Sequence, residues 1–116
     1  MSAGLSRVRV RFLEMLSGRL QRLDELHAAI RAGENLMASL TEAGEIAHKL
    51  AGTAGTLGFK SLGDIAIEVD VLSQESAKAG RAPDTLFEAK LTSLRDECRA
   101  AIADSDLPVL DQNRCL

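Results

Sequence analysis

Apolar residues recur along this chain at three- and four-residue intervals, and no stretch alternates apolar with polar residues long enough to predict a strand. Projected at about 100° per residue, Leu5, Val8, Phe12, Leu16, Leu20, Leu23, Leu26 and Ile30 fall on one stripe, with Arg7, Arg11, Gln21, Arg22 and Glu25 mostly away from it. This predicts a first helix from about Leu5 to Ala32, stopped at Gly33. Helical residues resume after Asn35 and continue to about Leu57, where Gly58 interrupts as a C-cap or turn. A third helix is expected over about residues 60–78, buried through Leu62, Ile65, Ala66, Val69 and Leu72. Pro83 suits the opening of a fourth helix, which repeats Phe87, Leu91, Leu94, Cys98 and Ile102 and ends near Asp104. Amphipathic helices on short connections become antiparallel neighbours. The expected fold is all-α, an antiparallel up-and-down four-helix bundle over residues 1–104, with room for a short extra N-terminal turn. Pro108 and the polar run DQNR break the pattern, so residues 105–116 are expected to form a flexible tail.

Composition narrows the class. A chain of 116 residues supports one core. Apolar residues make up 46% and aromatics only 3%, so the core must be built from Leu, Ile, Val and Ala, which suits helix packing. With 14 basic and 17 acidic residues and neither Tyr nor Trp, the chain has no footprint or stacking platform for nucleic acid. It has no apolar run of about 18 residues to enter a membrane and no signal-peptide pattern, so a cytoplasmic location is expected. Cys98 reads as a small apolar core residue and Cys115 as a free thiol in a mobile end, and no CxxC pair supports metal or redox chemistry.

Candidate chemistry is concentrated in EIAHKLAGTAGTLGF, residues 45–59, where Gly52, Gly55 and Gly58 follow one of only two histidines. Each glycine inside a helix costs roughly 1 kcal/mol relative to alanine. On the helical wheel Ile46, Leu50, Thr53 and Leu57 face the core, while His48 projects to the opposite side with Gly44, Ala51, Gly52 and Gly55. A bare surface around an exposed imidazole lets a partner's backbone or active site descend onto it. His27, beside Leu20, Leu23 and Ile30 on the first stripe, reads instead as a packing residue. Glu45-x-x-His48 and Asp24-x-x-His27 resemble half-motifs of a di-iron bundle, but the wheel points the two histidines to opposite environments. No nucleophile elbow or Cys–His pair suggests covalent catalysis.

At these residues the chain resembles the histidine-containing phosphotransfer (HPt) domains of two-component phosphorelays, whose hallmark reads approximately A-H-x-L-K-G-x-A-x-x-x-G followed by a leucine. The chain has Ala47-His48-Lys49-Leu50-Ala51-Gly52-Thr53-Ala54-Gly55-Thr56-Leu57-Gly58-Phe59, then Leu62. The resemblance implies a monomeric phosphoryl carrier. His48 would accept a phosphoryl group, usually on Nε2, from a receiver aspartate or a kinase and pass it to another receiver aspartate. A neutral imidazole is nucleophilic, and phosphoryl transfer needs positioning and charge neutralisation more than covalent machinery. The receiver is expected to bring Mg²⁺, and the carrier no cofactor or metal of its own. Lys49, Ala51, Gly52, Gly55, Leu13 and Met15 are the expected receiver-docking residues. The family usually has lysine three residues after the histidine to offset phosphoryl charge; here that residue is Ala51, and Lys49 or Lys60 could substitute only by reaching round. Phosphoacceptor domains of chemotaxis kinases are similar too, but commonly carry a further histidine and glutamate on the next helix, where this chain has Ile67 and Asp70. Alternatives are a degenerate adaptor that binds without carrying phosphate and a phosphoacceptor domain excised from a larger kinase.

Overall fold

The computed structural model describes residues 3–104, with side chains from residue 7 onward; the expected tail over 105–116, including Cys115, and the side chain of Leu5 lie outside the described residues. Four helices follow in order: α1 (Ala3–Arg31), α2 (Leu36–Ala54), α3 (Lys60–Ala79) and α4 (Thr85–Ala103). Each packs on its neighbours in sequence and α1 closes against α4, which is the up-and-down bundle. Among the described residues the N-terminus adds no separate turn, because α1 runs unbroken from Ala3.

The core is aliphatic. Leu16, Leu23, Leu40, Leu50, Leu62, Leu91, Leu94, Phe87, Val69 and Cys98 are the largest fully buried side chains, and Phe12, Leu26 and Ile30 complete the α1 stripe. Burial holds the Cys98 thiol protonated, with its pKa pushed up to about 12. One expectation about the α1 stripe fails, and four apolar positions expected in the core reach only its rim. Val8 is exposed, because the 29 residues of α1 reach about 43 Å and outrun the roughly 29 Å of the 19-residue α2. Leu20, Ile65, Leu72 and Ile102 are half-buried and pack against the rim of the core.

The connections explain where helices stop. α-Helical structure in α2 ends at Ala54, short of the expected Leu57, because the backbone tightens over residues 55–58. Phe59 N–H then closes onto Ala54 C=O at 2.8 Å and Gly58 N–H onto Gly55 C=O at 3.2 Å, a Schellman closure. Gly58 adopts φ +93°, which a residue with a Cβ would reach only with strain. Phe59 stacks on Phe12 at 5.4 Å and lies under the Arg9 guanidinium at 5.0 Å, fastening this turn to α1. The fourth helix opens at Asp84, whose side chain accepts the Phe87 N–H at 2.9 Å; Pro83 precedes this cap rather than beginning the helix.

Candidate functional site

The apolar face of α2 is buried through Leu40, Ala43, Ile46, Ala47, Leu50 and Ala54, which leaves His48 and Lys49 outside. The His48 side chain is 74% exposed. One turn further on, Gly52 is exposed, and a Cβ there would meet nothing within 4 Å, so the surface beside the imidazole is open.

Three of the other residues expected near His48 sit differently. Gly44 is buried, because α3 approaches so closely that a Cβ at this position would overlap Ser73 Oγ; Ser73 itself donates to Leu40 C=O at 3.0 Å. It therefore belongs to the α2–α3 seam and not to the outer patch. Gly55 is exposed but lies in the turn after α2, its backbone N about 3.2 Å from where a Cβ on Gly63 would stand. Ala51 is half-buried against the core and not on the outer face, because the buried face of α2 extends round to Ala47, one turn before it. On α1, Leu13 is 6% exposed and part of the core, whereas Met15 is 43% exposed. The stripe on α1 is wider than the wheel suggests, and it takes in Leu13 on one edge only.

A residue given no role by sequence reasoning completes the site. Asp70 on α3 accepts a hydrogen bond from His48 Nδ1 at 2.9 Å, and Gln74, one turn on, donates from Nε2 to the other Asp70 oxygen at 2.8 Å. The Asp70 side chain is only 16% exposed, so its carboxylate is held while the imidazole beyond it faces water. A carboxylate on Nδ1 selects the tautomer with hydrogen there, leaving the Nε2 lone pair directed away from the protein. The signal was available: His48 and Asp70 are equidistant in sequence from Phe59, at the centre of the α2–α3 connection, as are Gly55 and Gly63. An antiparallel hairpin of helices brings such pairs together.

The second histidine occupies a different setting. His27 on α1 accepts at Nδ1 from Arg95 Nη1 at 3.1 Å, and Arg95 Nε donates to Asp24 at 2.6 Å while Arg99 Nη2 donates to the same oxygen at 2.8 Å. Burial first, then the charges of Arg95 and Arg31, hold the His27 pKa below its ordinary range, against the pull of Glu88 and Asp24. Burial pushes the Asp24 carboxyl up, but the hydrogen bonds and charges of Arg95 and Arg99 prevail and hold it below the usual range. The two histidines lie on opposite seams, and among the described residues no three of His, Cys, Asp and Glu are grouped to hold a metal ion.

Of the two lysines expected to substitute for the missing charge at position 51, Lys60 is bonded to Asp64 at 2.8 Å, so it faces its own helix. Lys49 has no ion pair among the described residues. The site is thus a solvent-facing, orientation-fixed imidazole on a side-chain-poor surface, at an open cleft that it lines with Lys49, Asp70 and Gln74. Such a group can exchange a small electrophile with a second macromolecule that supplies the remaining catalytic parts.

The family model for the Hpt domain matches residues 7–104, and the chain belongs to that family. Hpt domains carry out histidine phosphotransfer in phosphorelays, where they interact with receiver domains and kinases. No curated protein and no solved structure matches the chain. Among the described residues no helix is long and apolar enough to cross a membrane.

Proposed function

We propose that His48 is the phosphoacceptor, taking a phosphoryl group from the aspartyl phosphate of a receiver domain, or from a kinase, and passing it to an aspartate of another receiver. The observation that carries this reading is the Asp70–His48 hydrogen bond at 2.9 Å, which turns Nε2 outward on an open surface. The Nε2 lone pair attacks phosphorus, and the P–N bond forms as the bond to the aspartyl oxygen breaks, its electron pair leaving with the carboxylate. The proton stays on Nδ1, so the phosphorylated ring is cationic, and the Asp70 carboxylate offsets that charge. Transfer to the next aspartate runs the same steps in reverse. The receiver supplies Mg²⁺ and the acidic pocket that positions the group.

The test is labelling by a phosphorylated receiver domain. The parent chain should acquire acid-labile, base-stable phosphate and the His48→Gln variant none. Equal labelling of both would end the carrier reading. Ala51, with no charge to offer a phosphoryl group, favours one second reading, an adaptor that binds receivers without carrying phosphate. Receiver binding without any phosphate on His48 would favour the adaptor.

A further inference from the structure

The hydrogen bond that fixes the His48 ring depends on how the Asp70 carboxylate is turned. The last torsion of an aspartate is broad and roughly two-fold, so rotamer preference alone does not hold its plane. Asp70 nevertheless presents one oxygen to each of two donors: Oδ2 accepts from His48 Nδ1 at 2.9 Å and Oδ1 accepts from Gln74 Nε2 at 2.8 Å. The first bond crosses from α2 to α3, and the second lies within α3, from the residue four positions on. The His48 side chain is 74% exposed and Asp70 only 16%, so the ring follows the carboxylate and not the reverse.

Gln74 borders a cleft of about 540 Å³ together with His48, Asp70 and Lys49. Lys49 has no ion pair among the described residues, so it is the competing donor for Oδ1. An ammonium on that oxygen would satisfy it but would also cancel the carboxylate's charge. The Gln74 amide donates without a charge of its own, so Asp70 is held in place with its charge left for the ring. Were the carboxylate to turn, Nδ1 would lose its acceptor and the hydrogen would be free to sit on Nε2. In that tautomer the exposed nitrogen has no lone pair to give.

We infer that Gln74 is a positioning residue for His48: its side-chain amide pins Oδ1 of Asp70, which keeps Oδ2 on Nδ1 and the Nε2 lone pair facing solvent. This rests on the carrier reading of His48 and deepens it, adding a residue that acts on the ring only through Asp70. An ordinary surface pair four residues apart on one helix contributes to helix stability alone. Gln74 differs in what it holds, a mostly covered carboxylate whose other oxygen sets the tautomer of the imidazole.

The experiment compares the parent with Gln74→Leu and Gln74→Glu, each also made in an Asp70→Ala background, and reads the His48 tautomer by nitrogen NMR together with phosphate labelling. Two donors are used: a phosphorylated receiver domain, and phosphoramidate, which transfers its phosphoryl group to Nε2 as ammonia leaves. Leucine removes the hydrogen-bond donor, and glutamate, nearly the same shape, replaces it with a like charge. Both variants should move His48 from one dominant tautomer toward a mixture and slow labelling about threefold with either donor. In the Asp70→Ala background the same substitutions should change labelling by less than about 1.5-fold, since no carboxylate is left to hold. An unchanged tautomer in both variants, a loss with the receiver alone, or an equal loss without Asp70 would overturn the positioning role. Failure of both donors to label the parent would instead overturn the carrier reading, and the tautomer would still decide whether Gln74 orients the ring.

Discussion

The two histidines of this bundle sit on opposite seams, His48 between α2 and α3 and His27 between α1 and α4, and each has an aspartate nearby on the same seam. Their chemistry diverges because of what meets Nδ1. At His48 it is a carboxylate, Asp70, so Nδ1 carries the hydrogen and the lone pair is outside on Nε2. At His27 it is a guanidinium, Arg95, which can only donate, so the lone pair is turned inward and Nε2 carries the hydrogen toward Thr92 Oγ1 at 3.5 Å. The carboxylate of the α1–α4 seam, Asp24, bonds Arg95 and Arg99 instead of the ring. One imidazole thereby turns its lone pair to solvent and the other turns it inward as an acceptor. Exposure alone would not have separated them in kind, because a tautomer is set by the partner and not by solvent.

The largest effect should come from the histidines themselves. His48→Gln should reduce phosphate labelling by a thousandfold or more, about 4 kcal/mol, while His27→Gln leaves it within about twofold. Comparable losses in both would dissolve the contrast. Next in size, Gly44→Ala forces a Cβ into Ser73 and should destabilise the fold by about 2 kcal/mol in urea unfolding. Gly52→Ala, open on the outer face, should instead stabilise by up to about 1 kcal/mol.

Asp70→Asn should slow labelling about tenfold, since an amide oxygen can still accept from Nδ1 but brings no negative charge to the phosphorylated ring. Nitrogen NMR should show a shift of His48 from one dominant tautomer toward a mixture. Arg95→Gln on the other seam should leave labelling alone.

The smallest effect is a pH dependence. The lowered pKa of His27 means the unfolded chain binds its proton more readily than the native one, so its contribution to stability is whole above the ordinary value of 6.5 and declines as pH falls toward the folded pKa. Asp24, also lowered, contributes above its ordinary value of 3.8 and loses that contribution only at more acid pH. Thermal midpoints measured from pH 7 downward should therefore show a first decline that His27→Gln removes and a second that it leaves.

Much of this was legible in the sequence. The helical repeats located all four helices within a few residues, and the wheel placed His48 outside, because both depend on periodicity along one helix. What a single helix cannot reveal is where a neighbour comes close. Gly44 looked like part of the bare patch until Ser73 was found against it, and Leu13 looked available until the breadth of the α1 contact was known. Asp70 falls where the phosphoacceptor domains of chemotaxis kinases commonly carry glutamate, yet its bond to His48 depends on the register of α3 against α2. Val8 fell outside the core for the converse reason, that α1 continues where α2 does not.

The hydroxyl of Ser73, seated where Gly44 has no side chain and bonded to Leu40 C=O, acts as a detent between two rods. A slide of α3 along α2 by one residue would move Asp70 by about 1.5 Å and swing it about 100° round the helix, away from the imidazole. The electronic state of a surface histidine is thus held by a mechanical stop about one helical turn away, inside the protein.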